Sequence, residues 1–430
     1  MASLPMSTKK QDPHHSKNSK TLTAIGLGNT LEWYDWQIFG LLAAFIGPNF
    51  FPNADPVSST LSALSVFAVG FAFRPLGGVL LGRLADRIGR RKVLLLSITM
   101  MAVSTLVIAI SPTYQDIGVF AGLLLFVCRV FQGISAGIEA PLSTAYAVEL
   151  SPAGREGRAA GVLSMFVNLG ILGASLVSFA TSALIDDAAM ADGGWRVPMF
   201  VGAALGVVVI YLRRNLPESL PAATGTGPQA PPPVWRQVGR HWLALLAIIF
   251  VVGAAQAYNY AWNVGLPNLA NGFGEDSTSV FALTTLLGLI LLVGSPLVGM
   301  LADRRKLSRT FVATRLLVVP AAFLMLAYAG PGIGGFSIVL LVGGLVLVTN
   351  MTLYNVISTS LMPQTCRATG VGLGYGIAVA LFGGTASYLL IWLQQQGIDW
   401  LFPVYLAALS LISVVLYLLA KRTTGLYAGE

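Results

Sequence analysis

A chain of 430 residues that is 55% hydrophobic and only 10% charged, with a mean hydropathy of +0.74, is not composed like a water-soluble domain, in which about a quarter of the residues carry charge. The formal charge of +8 would suit a nucleic-acid partner, but it is gathered in short turns between apolar segments. It therefore reads as a topology signal, and nucleic-acid binding is set aside.

The first residues are polar, with Lys9, Lys10, Lys17 and Lys20, and run directly into an apolar segment. This predicts a cytoplasmic tail over 1–21 rather than a cleavable leader. A helix needs about 20 apolar residues to cross the hydrocarbon core, and segments of that kind begin near residues 22, 58, 92, 116, 156, 196, 241, 278, 309, 335, 368 and 400. The turns between them alternate in charge. Arg83 to Lys92, Arg155 and Arg158, a central loop with Arg213, Arg214, Arg236 and Arg240, then Arg304 to Arg309, Arg367, Lys421 and Arg422 mark one side. Asp55, Asp116, Asp186, Asp187, Asp192, Glu275, Asp276 and Asp399 mark the other, with Arg196 as its one basic residue. By the positive-inside rule the basic side is cytoplasmic. The expected fold is an all-α membrane protein of twelve transmembrane helices with both termini cytoplasmic. Cys128 and Cys366, far apart in or beside apolar segments, support neither a disulfide framework nor a thiolate metal site. No metal or cofactor is expected.

The stretch PAATGTGPQAPPP lies in the longest interior turn and is too rich in Pro and Gly to pack a core, so 215–240 reads as a linker between helical halves 22–214 and 241–422, with a short tail at 423–430. The halves echo each other. GRLADRIGRR at 82–91 and GMLADRRKLSR at 299–309 follow the second span of each half, and RAAG at 158–161 and RATG at 367–370 open the fifth, each just after a proline, Pro152 and Pro363. Echoes at equivalent places in the same orientation indicate parallel repeats enclosing a cleft near the bilayer midplane.

The segment Gly82-x-x-x-Asp86-Arg87-x-Gly89-Arg90-Arg91 resembles the loop signature of the major facilitator superfamily. GNTLEWYDW at 28–36, RPLGG at 74–78 and RVFQGISAGIE at 129–139 are similar to its metabolite:proton symporter branch, and GWRVP at 194–198 and RATGVGLGYGIAVALFGGTASYL at 367–389 to its α-ketoglutarate permease group. The resemblance implies the major facilitator fold, a bacterial cytoplasmic membrane and a charged cluster of the first and fourth helices at the substrate cleft. It also implies a cytoplasmic lock in which Asp86 meets basic groups, with Arg87, Arg90 and Arg91 beside it and Asp303 as its repeat copy. Two departures touch coupling and gating: Ile138 stands where the branch has a second glycine, and Ser360 where a glutamate is expected.

Charge inside the spans carries the chemistry. An acid at the bilayer centre costs about 2.5–3.5 kcal/mol on insertion scales, so Glu32 and Asp35, one helical turn apart in the first span, require a use. Arg129 lies near the centre of the fourth span, and a guanidinium cannot shed its charge. Asp35 is its simplest partner, at an attraction of about 4 kcal/mol for 4 Å and an effective dielectric of 20. Arg74, just before Pro75, is read as part of an inner gate or as a snorkelling side chain, Arg315 as snorkelling to the interface, and Arg196 as a helix-end residue. Glu139, two turns past Gln132, is a candidate proton carrier, and Gly133 and Gly137 form a close-packing pair. In the seventh span Tyr258, Asn259, Trp262 and Asn263, and in the tenth Asn350, Tyr354 and Asn355, offer a ligand wall of aromatic and amide groups.

No nucleotide-binding loop is present, and His14, His15 and His241 lie in the tail and at a loop edge, so neither ATP drive nor catalysis is expected. The reading is a monomeric, lipid-embedded secondary transporter. It carries a small carboxylate such as α-ketoglutarate with protons, taken by Glu32, Asp35 or Glu139, by alternating access. A proton-driven exporter of a metabolite or drug and a symporter of a zwitterion such as betaine are the alternatives.

Overall fold

The computed structural model describes residues 13–149, 156–214, 234–304, 307–363 and 366–424. The side chains of Asp86, Arg90 and Asp303, expected to act as gates, lie outside the described residues, as do the tail through residue 12 and the linker over 215–233.

In hydrocarbon every backbone N–H and C=O must be satisfied within its own segment, which favours helices, and among the described residues there is no strand. The first helix, α1, spans Pro13–Leu41. Eleven helices that follow are long and apolar enough to cross a membrane. They are α2 (Pro56–Ala85), α3 (Arg91–Ile110), α4 (Val119–Glu139), α5 (Ser164–Leu184), α6 (Arg196–Arg213), α7 (Trp242–Gly272), α8 (Ser277–Leu301), α9 (Leu307–Tyr328), α10 (Ile333–Leu361), α11 (Thr369–Gln395) and α12 (Leu401–Thr423). Their outer faces carry exposed Val103, Val207, Leu345 and Val415, the surface that lipid chains cover. Val234–Arg240, expected as linker, form a short helix leading into α7. The turn between α2 and α3 is made by Gly89 at φ 96°, a left-handed conformation that accounts physically for the glycine of the loop signature.

Helices before the linker pack on one another, α1 with α5 and α6, α2 with α4, α3 with α4 and α6; those after it do likewise, α7 with α10, α11 and α12, α8 with α10, α9 with α10 and α12. The two groups meet along α5 against α8 and α2 against α11. These pairs exchange when each helix is replaced by its repeat counterpart, so the interface has the symmetry of the sequence echoes. A third seam joins α1 to α7. At the end bearing the acidic turns, Asn268 donates to Gly40 O (2.7 Å) and accepts from Ala44 N (3.0 Å). Gln395 donates to Asp55 (2.8 Å) and Thr278 to Ser182 O (3.0 Å). That end is sealed across both groups.

Candidate substrate and proton site

The site begins with α1. Glu32 and Asp35 are 1% and 2% exposed and point the same way, as residues three apart on a helix must. Asp35 accepts from the Thr105 hydroxyl and from Gln132 Nε2 (3.1 Å), and its other oxygen lies 3.7 Å from Arg129 Nη1. Gln132 ties the cluster together, accepting from Arg129 Nη1 (2.8 Å) and donating to Thr105 (3.0 Å). Glu32 pairs with Arg74 at 3.4 Å.

Both guanidiniums lie over the ring of Trp36, at 4.3 Å for Arg74 and 4.1 Å for Arg129. Arg74 also stacks on Phe71, and Arg129 on Phe39 and Phe67. Such contacts are worth about 2 kcal/mol when desolvated, which lets the cations stay buried. Glycine places them there. A Cβ at Gly133 would overlap Gly70 O and one at Gly137 would overlap Arg74 O, so α2 and α4 touch backbone to backbone.

Several polar atoms in this cluster have no hydrogen-bond partner: Arg129 Nε and Nη2, Asp35 Oδ2, Arg74 Nε and Trp36 Nε1. Across the seam, α7 presents its own. Asn263 donates to Asn259 Oδ1 (2.9 Å) and receives Gln37 Nε2 on its backbone oxygen (2.6 Å), while Asn259 Nδ2, Asn263 Oδ1, Gln256 Oε1 and the Tyr260 hydroxyl are unpartnered. Tyr260 stacks on Trp33 and meets Phe67 and Phe71 edge-on. A second polar thread crosses between the groups: the Tyr375 side chain lies near Arg74 and Tyr354, and Gln256 donates to Tyr354 at 3.3 Å. Buried polar atoms are nearly always paired, so donors and acceptors gathered unpaired at the seam are suited to a polar guest.

A family model described as the Major Facilitator Superfamily matches residues 25–387. The chain belongs to this superfamily. It is 31% identical to the alpha-ketoglutarate permease of Escherichia coli (92% of each chain covered). It is 33% identical to the ectoine/proline transporter ProP of Corynebacterium glutamicum (93% of this chain, 83% of that protein), and 30% identical to the citrate-proton symporter of Klebsiella pneumoniae (94% and 92%). Its backbone matches the proton:xylose symporter XylE bound to 6-bromo-6-deoxy-D-glucose with a TM-score of 0.73 at 16% identity, covering 96% of each chain. This superfamily member is a multi-pass cell-membrane transporter and not an enzyme.

The transporter gathers Glu32, Asp35, Arg74, Arg129 and Gln132 in one place, while Asn259 lies on α7, paired with Asn263. Other expected site residues lie elsewhere. Tyr258 and Trp262 turn their polar atoms onto α10, to Gly343 O (2.8 Å) and Val339 O (3.1 Å). Asn350 faces α9, donating to Thr314 O (3.3 Å) and Val346 O (3.0 Å). Tyr354 joins the Tyr375 thread, and its neighbour Asn355 is exposed. Glu139 is paired with Arg213, which engages both of its oxygens, with Ser97 donating at 3.3 Å, and it lies near enough to Glu32 for the two acids to interact. Among the loop residues Arg87 is exposed, and Arg91 donates to Arg214 O.

Two cations are corrected by the structure. Arg213, read as a loop residue, is 0% exposed, because its guanidinium crosses Gly28 of α1, where a Cβ would overlap it, to reach Glu139. Arg315 does not snorkel: it too is 0% exposed, turned into the bundle to donate to Val251 O at 2.9 Å. Trp36, Thr105, Gln256, Tyr260 and Tyr375 were not singled out from sequence. Trp36 and Tyr260 lay within motifs already noted, but aromatic residues in an apolar span give no sign of which ring a guanidinium will choose.

Proposed function

We propose that this protein is a proton-coupled symporter of a small carboxylate metabolite, α-ketoglutarate or a related dicarboxylate, built of twelve spanning helices in two six-helix halves with both termini cytoplasmic. The observation that carries the reading is the incomplete pairing of Arg129 and Asp35: the guanidinium keeps Nε and Nη2 free, and the facing carboxylate oxygen is 3.7 Å away with no hydrogen bond. An incoming carboxylate takes the two free N–H groups in the bidentate geometry that guanidinium favours. Asp35 then loses part of its partner's field and takes up a proton, which offsets one of the two negative charges that a dicarboxylate brings. Glu32, paired with Arg74, is the next acid toward the basic end. With that end cytoplasmic, the seal at Asn268, Asp55 and Thr278 closes the outer face, and rocking of the halves opens it.

The citrate-proton symporter and the alpha-ketoglutarate permease among its relatives support both the proton and the carboxylate. A zwitterion is the second reading, favoured by the Trp36, Phe39, Phe67 and Phe71 rings, a surface that already holds cations and could hold an ammonium group.

The test uses proteoliposomes with an imposed pH gradient and radiolabelled α-ketoglutarate, citrate, proline and betaine. Asp35→Asn should abolish uphill uptake while leaving substrate exchange measurable, and Arg129→Lys should weaken binding of every carboxylate. Uphill uptake at the wild-type level by Asp35→Asn would end the coupling assignment. Uptake of betaine but of neither α-ketoglutarate nor citrate would replace the first reading by the second.

A further inference from the structure

Among the described residues, Arg315 is a buried cation without a counter-charge. Its guanidinium is 0% exposed, makes one hydrogen bond, to Val251 O at 2.9 Å, and rests over Phe311 at 5.2 Å. Nε and Nη1 have no partner, and no carboxylate among the described residues lies within 4.0 Å. A guanidinium cannot neutralise itself by losing a proton, so the cost of burying it must be met by an anion or by hydrogen bonds.

The repeat shows what is missing. Counting back from Pro152 and Pro363 sets Glu139 against Asn350. Counting from Asp86 and Asp303 sets Arg315 against Ile98, beside Ser97. Counting from Trp195 and Trp400, each three residues before a proline, sets Arg213 against Leu418, beside Tyr417. The first half thus buries Ser97, Glu139 and Arg213 together, acid matched to cation. The second half buries Arg315, Asn350 and Tyr417 at the corresponding places. Asn350 reaches Thr314 O, next to Arg315, and the Tyr417 ring packs on Phe311 at 4.8 Å. The cation has moved to another helix, and the acid has become an amide.

Further polar groups turn to the same interior. Ser410, two turns before Tyr417 on the same face of α12, has a buried hydroxyl with no partner, and α12 runs antiparallel to α9, so this face continues past the level of Arg315. Asn350 Oδ1 is likewise unpartnered.

The structure assigns to this place, between α7, α9, α10 and α12, a binding site for a small inorganic anion of the halide class. The anion stands in for the carboxylate that Glu139 supplies in the first half. It takes the free N–H groups of Arg315, and Ser410 offers a hydroxyl donor on the same interior face. The site lies within one group of helices, apart from the Asp35 and Arg129 cluster, and does not depend on which substrate that cluster takes.

The test is thermal unfolding of the purified full-length protein, followed by intrinsic fluorescence, in sodium chloride or bromide against sodium gluconate at matched ionic strength. The expected result is a saturable rise in Tm with halide that is lost in Arg315→Met. In Asn350→Asp, which restores an internal acid, Tm in gluconate should rise to the halide value and no longer respond to halide. Crystals soaked in bromide should show an anomalous peak beside Arg315. A Tm indifferent to halide, with water alone beside the guanidinium, would overturn the assignment. So would halide stabilisation that survives in Arg315→Met, since the anion then binds elsewhere.

Discussion

Removing either Glu139 or Arg213 should destabilise the protein far more than removing both. The pair is buried, 2% and 0% exposed, and the guanidinium meets both carboxylate oxygens. Breaking such a pair from one side costs about 3–5 kcal/mol, because the other charge is stranded, whereas replacing both partners by neutral groups of similar volume is often close to neutral. The single variants are not equivalent. Arg213→Met leaves a carboxyl that can take up a proton, and Glu139→Gln leaves a guanidinium that cannot lose one. We therefore expect Arg213→Met near the lower figure, Glu139→Gln near the upper, and the double variant within about 1 kcal/mol of wild type, a coupling of about 7–9 kcal/mol. Domains of 150–250 residues shift in Tm by about 2–4 °C per kcal/mol and longer chains by less, so unfolding scans in one detergent should show each single variant several degrees low and the double restored. Gly28→Ala, which puts a methyl group in the path of the guanidinium, should reproduce the loss of Arg213→Met. A Glu139→Gln protein melting with wild type would refute the energetic argument. A double variant that melts normally but accumulates substrate without protons would refute the structural role and return Glu139 to the proton path.

Asn268→Ala removes two hydrogen bonds from the sealed end, to Gly40 O and from Ala44 N. At about 1 kcal/mol each, this should favour the open form by roughly thirtyfold, read as faster labelling of a cysteine introduced on α7 beneath the seal; an unchanged labelling rate would remove Asn268 from the seal. Asp55 caps the N-terminus of α2, where the Ser58 hydroxyl, followed by the Val57 and Ser58 N–H groups, holds its carboxyl below the usual carboxylate range. A lowered value in the fold means a contribution present above about pH 4 and lost as pH falls through the folded value. Asp55→Asn should therefore flatten the acid limb of the Tm–pH curve below about pH 4, and an acid limb as steep as wild type would show that this carboxyl does not set it.

The pairing of Asp35 with Arg129 was legible in the sequence because one acid and one guanidinium stand near the middle of long apolar segments, where isolated charge is too costly to leave unmatched. The Gly133 and Gly137 contact was legible for a similar reason, since glycines four apart face one neighbour. What failed was depth and phase. Arg213 ends its helix like any interfacial cation, and only the gap at Gly28, a property of α1, lets it turn inward to Glu139. In α7, residues four apart do share a face, but periodicity cannot say which face meets α10 and which meets α1. The π-turn at Ala261–Gly265 also shifts the phase within the helix. Tyr258 and Trp262 took the packing side, and Asn259 and Asn263 the seam.

The buried arginines differ in how completely they are used, and that difference separates scaffold from machinery. Arg213 is spent on both oxygens of one acid and has little to offer a guest without losing several kcal/mol. Arg74 stands 3.4 Å from Glu32, with Tyr375 of the other helix group in reach, so a movement between the groups must alter its surroundings. Arg129 is the least committed of the three to its acid: 3.7 Å away, supported by three aromatic rings, with two N–H directions open. Stacking does not compete with bidentate hydrogen bonding in the guanidinium plane, so the rings can hold the cation in place while its in-plane partner is exchanged. Had Asp35 closed to a full bidentate pair, a carboxylate substrate would have had to break it first. In the proposed symport, the looser contact lets binding begin before the acid is released, and release is what makes the acid ready for a proton.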